Sequence, residues 1–250
     1  MTNQRADVIN PEPMPAVGPY HIYSAGGLFI QDELATNVMI KEAVWRLSKG
    51  KFQIFLPQSR EVQELNMANV EAHVRNTDLL EVIKADLLLA RFDGPDPDSG
   101  SVLEYSLAKF LGKPTVILRC DFRQLVFVGE PGPYNLMLKN FPRTVEIQLH
   151  SFKMWGELLA EARGGLKDSE TPQDTMEAEL ETLQKSVDII ASQVIAGFEK
   201  VIAMQSPYPP EYQELVYRAA RHSIGSDFDQ LLPEGELEEI LGRLKETGTL

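Results

Sequence analysis

The chain has a single cysteine, Cys120, among 250 residues. One thiol excludes a disulfide framework and a cysteine-built zinc cluster within the chain. Histidine is nearly as scarce: His21, His73, His150 and His222 stand at no metal-ligand spacing and read as surface or packing residues. Positive charge is in deficit, with 24 Lys and Arg against 37 Asp and Glu and a formal net charge of −13. Nucleic acid and anionic membrane surfaces are bound largely by phosphate neutralisation, so both are poor partners for such a chain. No apolar run approaches the roughly 20 residues of a membrane helix. Residues 1–19 carry Asp7, Glu12, Pro11, Pro13, Pro15 and Pro19 and no apolar stretch; they read as a flexible or extended arm, not a secretion signal. What is left is a soluble protein of a reducing compartment, cytoplasmic by default.

What is present is ordinary globular composition, 43% apolar and 24% charged, in short punctuated runs. Tyr20–Ala25, Phe52–Leu56, Asp86–Phe92, Pro114–Arg119 and Thr144–Gln148 predict strands, several of them apolar without alternation, as strands covered on both faces are. Helical spacing spans Gln31–Ser48, Asn66–Ala85 and Val102–Leu111. Strands alternating with helices imply an α/β fold: a flavodoxin-like (Rossmann-like) five-stranded parallel sheet, order 2-1-3-4-5, with helices on both faces. Ligands of such sheets sit beyond the carboxyl ends of the strands, near the switch point. The Gly26-Gly27 loop and the loop from Asp93 to Gly100 should then face one crevice.

Composition shifts after Gly164-Gly165. Residues 151–250 hold 9 basic and 19 acidic side chains, which is −10 of the total charge. Met176, Leu180, Leu183, Val187, Ile190, Val194, Phe198 and Val201 form a narrow, nearly heptad seam on one long helix. Two shorter helices are expected at Glu211–His222 and Pro233–Lys245. The organisation predicted is an arm over residues 1–19, a core domain over 20–164 and an acidic helical region over 165–250. The seam either packs on the core or pairs two subunits.

Chemistry points to the acidic stretch from Asp78 to Glu104. Glu81 suits an exposed helix face, Asp93 and Asp96 suit turns, and Asp86 suits the end of a helix or strand. Asp98 and Glu104 lie six apart across a loop-to-helix junction. Asp98 is expected at the mouth of the crevice. Glu104 is expected in the first turn of the helix, near its positive end. An ionised carboxylate beside a second carboxyl is the equipment for attack on an anomeric carbon. A turn aspartate followed by a dipole-stabilised glutamate is the alternative on spacing alone.

Ile22-Tyr23-Ser-Ala-Gly26-Gly-Leu-Phe29, Asp78-Leu-Leu-Glu-Val-Ile-Lys-Ala-Asp86, Asp93-Gly94, Asp98-Ser-Gly-Ser-Val-Leu-Glu104-Tyr-Ser-Leu-Ala108, Gly112-Lys113-Pro114 and Tyr134-Asn135-Leu-Met137 together resemble the nucleoside 2-deoxyribosyltransferase family over roughly residues 20–150. The resemblance makes residues 20–164 a catalytic domain that exchanges 2-deoxyribosyl between nucleobases. Glu104 matches the nucleophile, Tyr23 the tyrosine that orients it, and Asp98 the carboxylate that contacts the sugar. Asp78 matches the aspartate at the base, and Gly26 and Phe29 the loop and wall beside the substrate. Asn135 and Met137 match residues lent by a neighbouring subunit. The resemblance implies 2′-deoxynucleosides and free bases as ligands, no metal or other cofactor, and a homo-oligomer, dimer or hexamer, with a shared site.

Two departures from the family pattern stand out: Ser106, where a glycine allows close helix-to-strand approach, and Gly27, where many relatives have proline. Ser106 is expected to shift the pocket slightly and Gly27 to loosen its loop. Some relatives place their C-terminal carboxylate in a neighbour's site; that role is not carried over, because roughly 85 residues follow the matched region here. Residues around Pro57 to Met67 are expected to read the base. Other readings remain open: an N-glycosidase acting on deoxynucleosides or their 5′-monophosphates, and a nucleotide-binding protein without turnover. Arg119 and Arg123, the basic groups nearest the site, read as ion-pair partners of Asp121 or of the neighbourhood of Glu104.

Overall fold

The computed structural model describes residues 18–59, 70–94, 96–123, 125–127, 130–132, 134–164, 171–225 and 228–250. The N-terminal arm up to residue 17, the expected helix start at residues 66–69 and most of the expected base-reading stretch lie outside them. Five strands form one all-parallel sheet: β1 (Tyr20–Ala25), β2 (Phe52–Phe55), β3 (Leu87–Arg91), β4 (Thr115–Arg119) and, last in the chain, β7 (Thr144–Gln148). Their spatial order is β2-β1-β3-β4-β7, the flavodoxin-like order expected from the sequence. Between β4 and β7 the chain makes a two-stranded antiparallel hairpin, β5 (Leu125–Phe127) and β6 (Glu130–Gly132), too short to show in the sequence pattern.

Alternate residues of each strand feed opposite layers, as the period of two demands. Ile22, Phe52, Ile54, Leu87, Leu89, Val116 and Leu118 point to the layer of α1 (Gln31–Leu47). Tyr23, Ala25, Leu88, Ala90 and Ile117 point to that of α2 (Val70–Lys84) and α3 (Ser99–Phe110). α4 (Ser151–Arg163) buries no residue fully. The α1 layer is completed instead by the long α5 (Pro172–Ile202), started by a capping box between Thr171 and Asp174 and a proline in its first turn.

The seam on α5 divides. Val187, Ile190, Val194, Phe198 and Val201 are buried against the sheet, while Met176, Leu180 and Leu183 remain exposed. Gly197 marks a close approach: a Cβ there would lie 3.0 Å from the Val116 side chain and 3.1 Å from that of Ile147. Five buried side chains at about 1.5–3 kcal/mol each amount to roughly 10 kcal/mol, the size of a whole domain's net stability. α5 is therefore part of what holds the sheet together.

The remaining helices, α6 (Pro210–Ser223), α7 (Phe228–Leu231) and α8 (Glu234–Glu246), pack on the outer side of α2. Tyr217, Phe228, Leu237, Leu241 and Leu244 join Leu79, Leu80 and Ile83 in one cluster. Among the described residues no helix is long and apolar enough to cross a membrane.

Candidate active site

β1, the middle of α2 and the amino-terminal half of α3 meet at the crevice the topology predicts. Tyr23, fully buried on β1, sends its hydroxyl between the two helices. It donates to Glu104 Oε1 of α3 at 2.6 Å and stands 3.3 Å from Asp78 Oδ1 of α2. The shorter distance is that of a charge-assisted O–H···O⁻ bond. A phenol has one hydrogen, so it cannot serve two carboxyl groups equally. The nearer oxygen takes it.

Glu104 lies in the second turn of α3, not the first: the helix starts at Ser99, and no acidic residue falls in its opening turn. The expected start at Val102 fails because Asp98 caps the helix earlier, its Oδ2 accepting from Ser101 N at 2.9 Å and Ser101 Oγ at 3.1 Å. The carboxylate at the positive end of α3 is thus Asp98. Glu104 is oriented by Tyr23 instead.

Between α2 and α3 opens a cavity of about 440 Å³. Asp78 and Glu104 line it, together with Arg75 and Glu71, one and two turns back along α2, and the apolar Val74, Leu79 and Leu103. Glu71 and Arg75 belong to no motif, although their spacing from Asp78 puts all three on one helix face. A second cavity, about 450 Å³, lies beside the edge strand β2 and α8. Tyr23 lines it too, but Asp78 and Glu104 do not, so the two carboxyl groups share only the cavity between the helices among those described.

The other residues to which the sequence pointed are not among the described residues that line this cavity. Gly26 packs on Arg91, and Phe29, 71% exposed, stands on the surface of the β1–α1 loop. That loop is pinned, contrary to the expectation for Gly27. Glu33 accepts from the N–H groups of Phe29 and Ile30, Asn37 Nδ2 donates to Gly27 O at 3.1 Å and to Gln58 Oε1 at 2.7 Å, and Arg91 donates to Asn37 Oδ1. A Cβ at position 27 would fall 2.3 Å from the Glu33 carboxylate, so a larger residue there would dislodge Glu33 from the N–H groups it holds.

The expectation for Ser106 fails too. It is exposed, returns its hydroxyl to Val102 O at 2.7 Å and faces away from the sheet, so it displaces nothing. The segment around Asn135 is anchored by Tyr134, which packs edge-on against Phe92, and by Tyr105, whose hydroxyl donates to Leu138 O at 2.9 Å. Asn135 caps a short 3-10 turn by accepting from Met137 N, and Met137 is 80% exposed. Neither lines the cavity of its own chain. Arg123 pairs with Asp121 at 2.5 Å, and that guanidinium holds the Asp121 carboxyl down to about 2. Arg119 is buried on the carbonyls of Phe92, Gly94 and Arg123 and stands 3.9 Å from Asp121. Both arginines therefore answer to Asp121.

A tyrosine set between two carboxyl groups, in a crevice of this fold, gives the likeness to known proteins a physical meaning. The sequence profile of nucleoside 2-deoxyribosyltransferase matches residues 22–176. The chain belongs to the nucleoside 2-deoxyribosyltransferase family. It is a transferase acting on N-glycosyl bonds. No curated protein matches the chain. Among solved structures this family member is similar to a 2-deoxyribosyltransferase from Bacillus psychrosaccharolyticus, 19% identical over 51% of this chain and 86% of that one, with a TM-score of 0.39. It is similar also to a conserved protein from Enterococcus faecalis V583, 21% identical over 71% and 99%, TM-score 0.41. A 2-desoxiribosyltransferase from Leishmania mexicana is 22% identical over 57% and 98%, TM-score 0.39.

Proposed function

We propose that the enzyme exchanges 2-deoxyribosyl between nucleobases through a covalent ester on Glu104, with retention at the anomeric carbon. The observation that carries this reading is the single Tyr23 hydroxyl set between Glu104 and Asp78. Glu104 Oε attacks C1′ as the N-glycosidic bond breaks. The bonding pair leaves on the base nitrogen, and the Asp78 carboxyl supplies the proton. Tyr23 fixes the attacking carboxylate and gives it one hydrogen bond that is kept through the step. In the second half the nitrogen of an incoming base attacks C1′, the ester C–O bond breaks to regenerate the Glu104 carboxylate, and Asp78 takes the proton back. Two carboxyl groups, one nucleophilic and one acid–base, suffice for an oxocarbenium-like transition state.

Asp98 belongs to the sugar side, six residues before Glu104 at the cap of the same helix. Its carboxylate occupies the positive end of α3, the place where a helix would otherwise hold a phosphate. That favours a 5′-hydroxyl over a 5′-phosphate and hence nucleosides over nucleoside monophosphates. Asn135 and Met137, projected outward on the Tyr134 anchor, are suited to closing the sugar pocket of a neighbouring subunit in a homo-oligomer. Phe29 on the exposed β1–α1 loop would close the base side. The partners of this reading are cytoplasmic deoxynucleosides and free bases, not nucleic acid or membrane.

Incubation of the protein with 2′-deoxyinosine and adenine tests the reading, with chromatography reporting a new nucleoside. Formation of 2′-deoxyadenosine is expected. Release of hypoxanthine alone would make the enzyme a hydrolase. Labelling by a fluorinated 2-deoxyribosyl analogue at a residue other than Glu104 would overturn the assignment of the nucleophile.

A further inference from the structure

The cavity that holds Asp78 and Glu104 has one cation among its described lining residues, Arg75. It stands three residues before Asp78 on α2, a rise of about 4.5 Å along the same helix face. Nε and Nη2 are held on Asn76 Oδ1 at 3.0 and 2.8 Å, and Asn76 is itself buried. Beside the same Nη2 runs the α6–α7 link, where a Cβ on Gly225 would come within 2.8 Å. The head group is therefore held along its Nε–Nη2 edge. Glu71, Asp78 and Glu104 supply acceptors to the same cavity, and Val74, Leu79 and Leu103 supply its apolar wall.

We propose that Arg75 selects the base, reading the carbonyl edge of a 6-oxopurine in preference to the amino edge of adenine. The inference rests on the reading of Asp78 and Glu104 given above. If the glycosidic nitrogen lies at Asp78, the far edge of the base extends along α2 toward Arg75. A guanidinium donates and cannot accept. Hypoxanthine and guanine present O6 and N7, both acceptors, whereas adenine presents the N6 amino donor beside N7. A donor facing a donor leaves both unsatisfied in an apolar-walled slot, and such a mismatch costs more than a merely lost contact. A 5′-phosphate is a poorer partner for Arg75, because three carboxyl groups share its cavity.

The test compares hypoxanthine with adenine as acceptors, thymidine being the deoxyribosyl donor, in the full chain and in Arg75→Met, Arg75→Gln and Arg75→Lys. In parallel, calorimetry measures binding of the two free bases to the same proteins. The unsubstituted enzyme is expected to favour hypoxanthine by about tenfold or more in kcat/KM, the value of one charge-assisted hydrogen bond. Arg75→Met should bring the ratio toward one. Arg75→Gln should tilt it toward adenine, since the amide oxygen accepts from N6. Arg75→Lys, still a donor, should keep the preference for hypoxanthine. A ratio unmoved by Arg75→Met and Arg75→Gln overturns the proposal, as does a preference for adenine in the unsubstituted chain. Loss in Arg75→Met confined to 5′-monophosphate substrates also overturns it, by making Arg75 a phosphate partner. If no exchange occurs with any base while the binding ratio still follows position 75, the transfer reading fails and the selection stands.

Discussion

The two ends of the sheet treat buried charge in opposite ways. At the amino end, charged groups are tied down by the last helices of the chain and by backbone carbonyls. Asp86 is fully buried and accepts from His21 N at 2.7 Å, Arg243 Nη1 at 2.6 Å and Thr247 Oγ1 at 3.1 Å. Lys113 Nζ donates to Ile83 O, Ala85 O and Tyr217 Oη, and Lys109 Nζ to four oxygens around Thr115 and Thr144. Arg143 gathers the carbonyls of Gly248, Thr249 and Leu250, so residues 248–250 are held away from the crevice. Toward the carboxyl end, Asp78 and Glu104 converge on one tyrosine hydroxyl. Charge matched to opposite charge and to fixed dipoles makes a foundation. Two carboxyl groups that share one tyrosine hydroxyl make the candidate site. One helix, α2, joins the two.

The largest effect expected from breaking that contrast is at Glu104. Glu104→Gln keeps the hydrogen bond from Tyr23 but removes the proposed nucleophile, and exchange should fall by about 10³-fold or more. Its melting temperature should stay close to that of the unsubstituted protein, because no packing is lost. An active Glu104→Gln enzyme would move the nucleophile elsewhere. At the other end the expectation reverses. Asp86→Ala leaves the His21 N–H and Arg243 Nη1 without the carboxylate they share and removes one partner of Thr247 Oγ1, at about 3–5 kcal/mol, or roughly 10 °C in Tm for a chain of this length. Activity measured well below the transition should survive. Loss of exchange in a folded Asp86→Ala protein would show that the foundation also tunes the chemistry.

A smaller effect sharpens the comparison through pH. Burial pushes the Lys109 and Lys113 ammonium groups down to about 7, against an ordinary value of 10.5. Between these values the unfolded chain binds more protons, so stability must rise with pH from about 7 upward. Below about 7 both states are charged and these two groups add no slope. Denaturant melts at about pH 7 and pH 9 should show the rise, and Lys113→Met should flatten it by removing one of the two contributors. An equal slope in the variant would mean that Lys113 carries the same charge in both states throughout.

How far the sequence displayed this contrast differs between the ends. Uninterrupted apolar runs such as Leu87-Leu-Leu-Ala90 mark strands whatever surrounds them, so the sheet and its order were legible. Tyr23, Asp78 and Glu104 were legible as a set only through their resemblance to a family; spacing alone singled out Asp98 and Glu104, and it also fits a turn aspartate followed by a dipole-stabilised glutamate. Arg75 was hidden because Val70–Lys84 is one of the weakest amphipathic patterns in the chain, and helical phase alone does not say which face lines a cavity. The foundation was invisible for a different reason. Asp86 and Arg243 are 157 residues apart, and nothing local in either segment announces a partner at that distance. The long seam on α5 was legible as a seam, yet only the sheet decides that Val187 to Val201 are covered and Met176 to Leu183 are not.

The smallest effect concerns Ser106, the residue of α3 expected from the sequence to shift the pocket. Were Ser106 wedged between α3 and the sheet, restoring glycine would relax the pocket and speed exchange. Its exposure and its hydrogen bond to Val102 O argue otherwise. Glycine in an exposed helical position costs about 0.5–1 kcal/mol through the entropy of the unfolded chain, and Glu104, two positions away, lies on another face of α3. Ser106→Gly should therefore lower stability by about that amount and leave kcat/KM within about twofold. A several-fold gain in kcat/KM would mean that the helix moves when the side chain is removed, and that the distance between Glu104 and Asp78 is set from the outer face of α3 as well as by Tyr23.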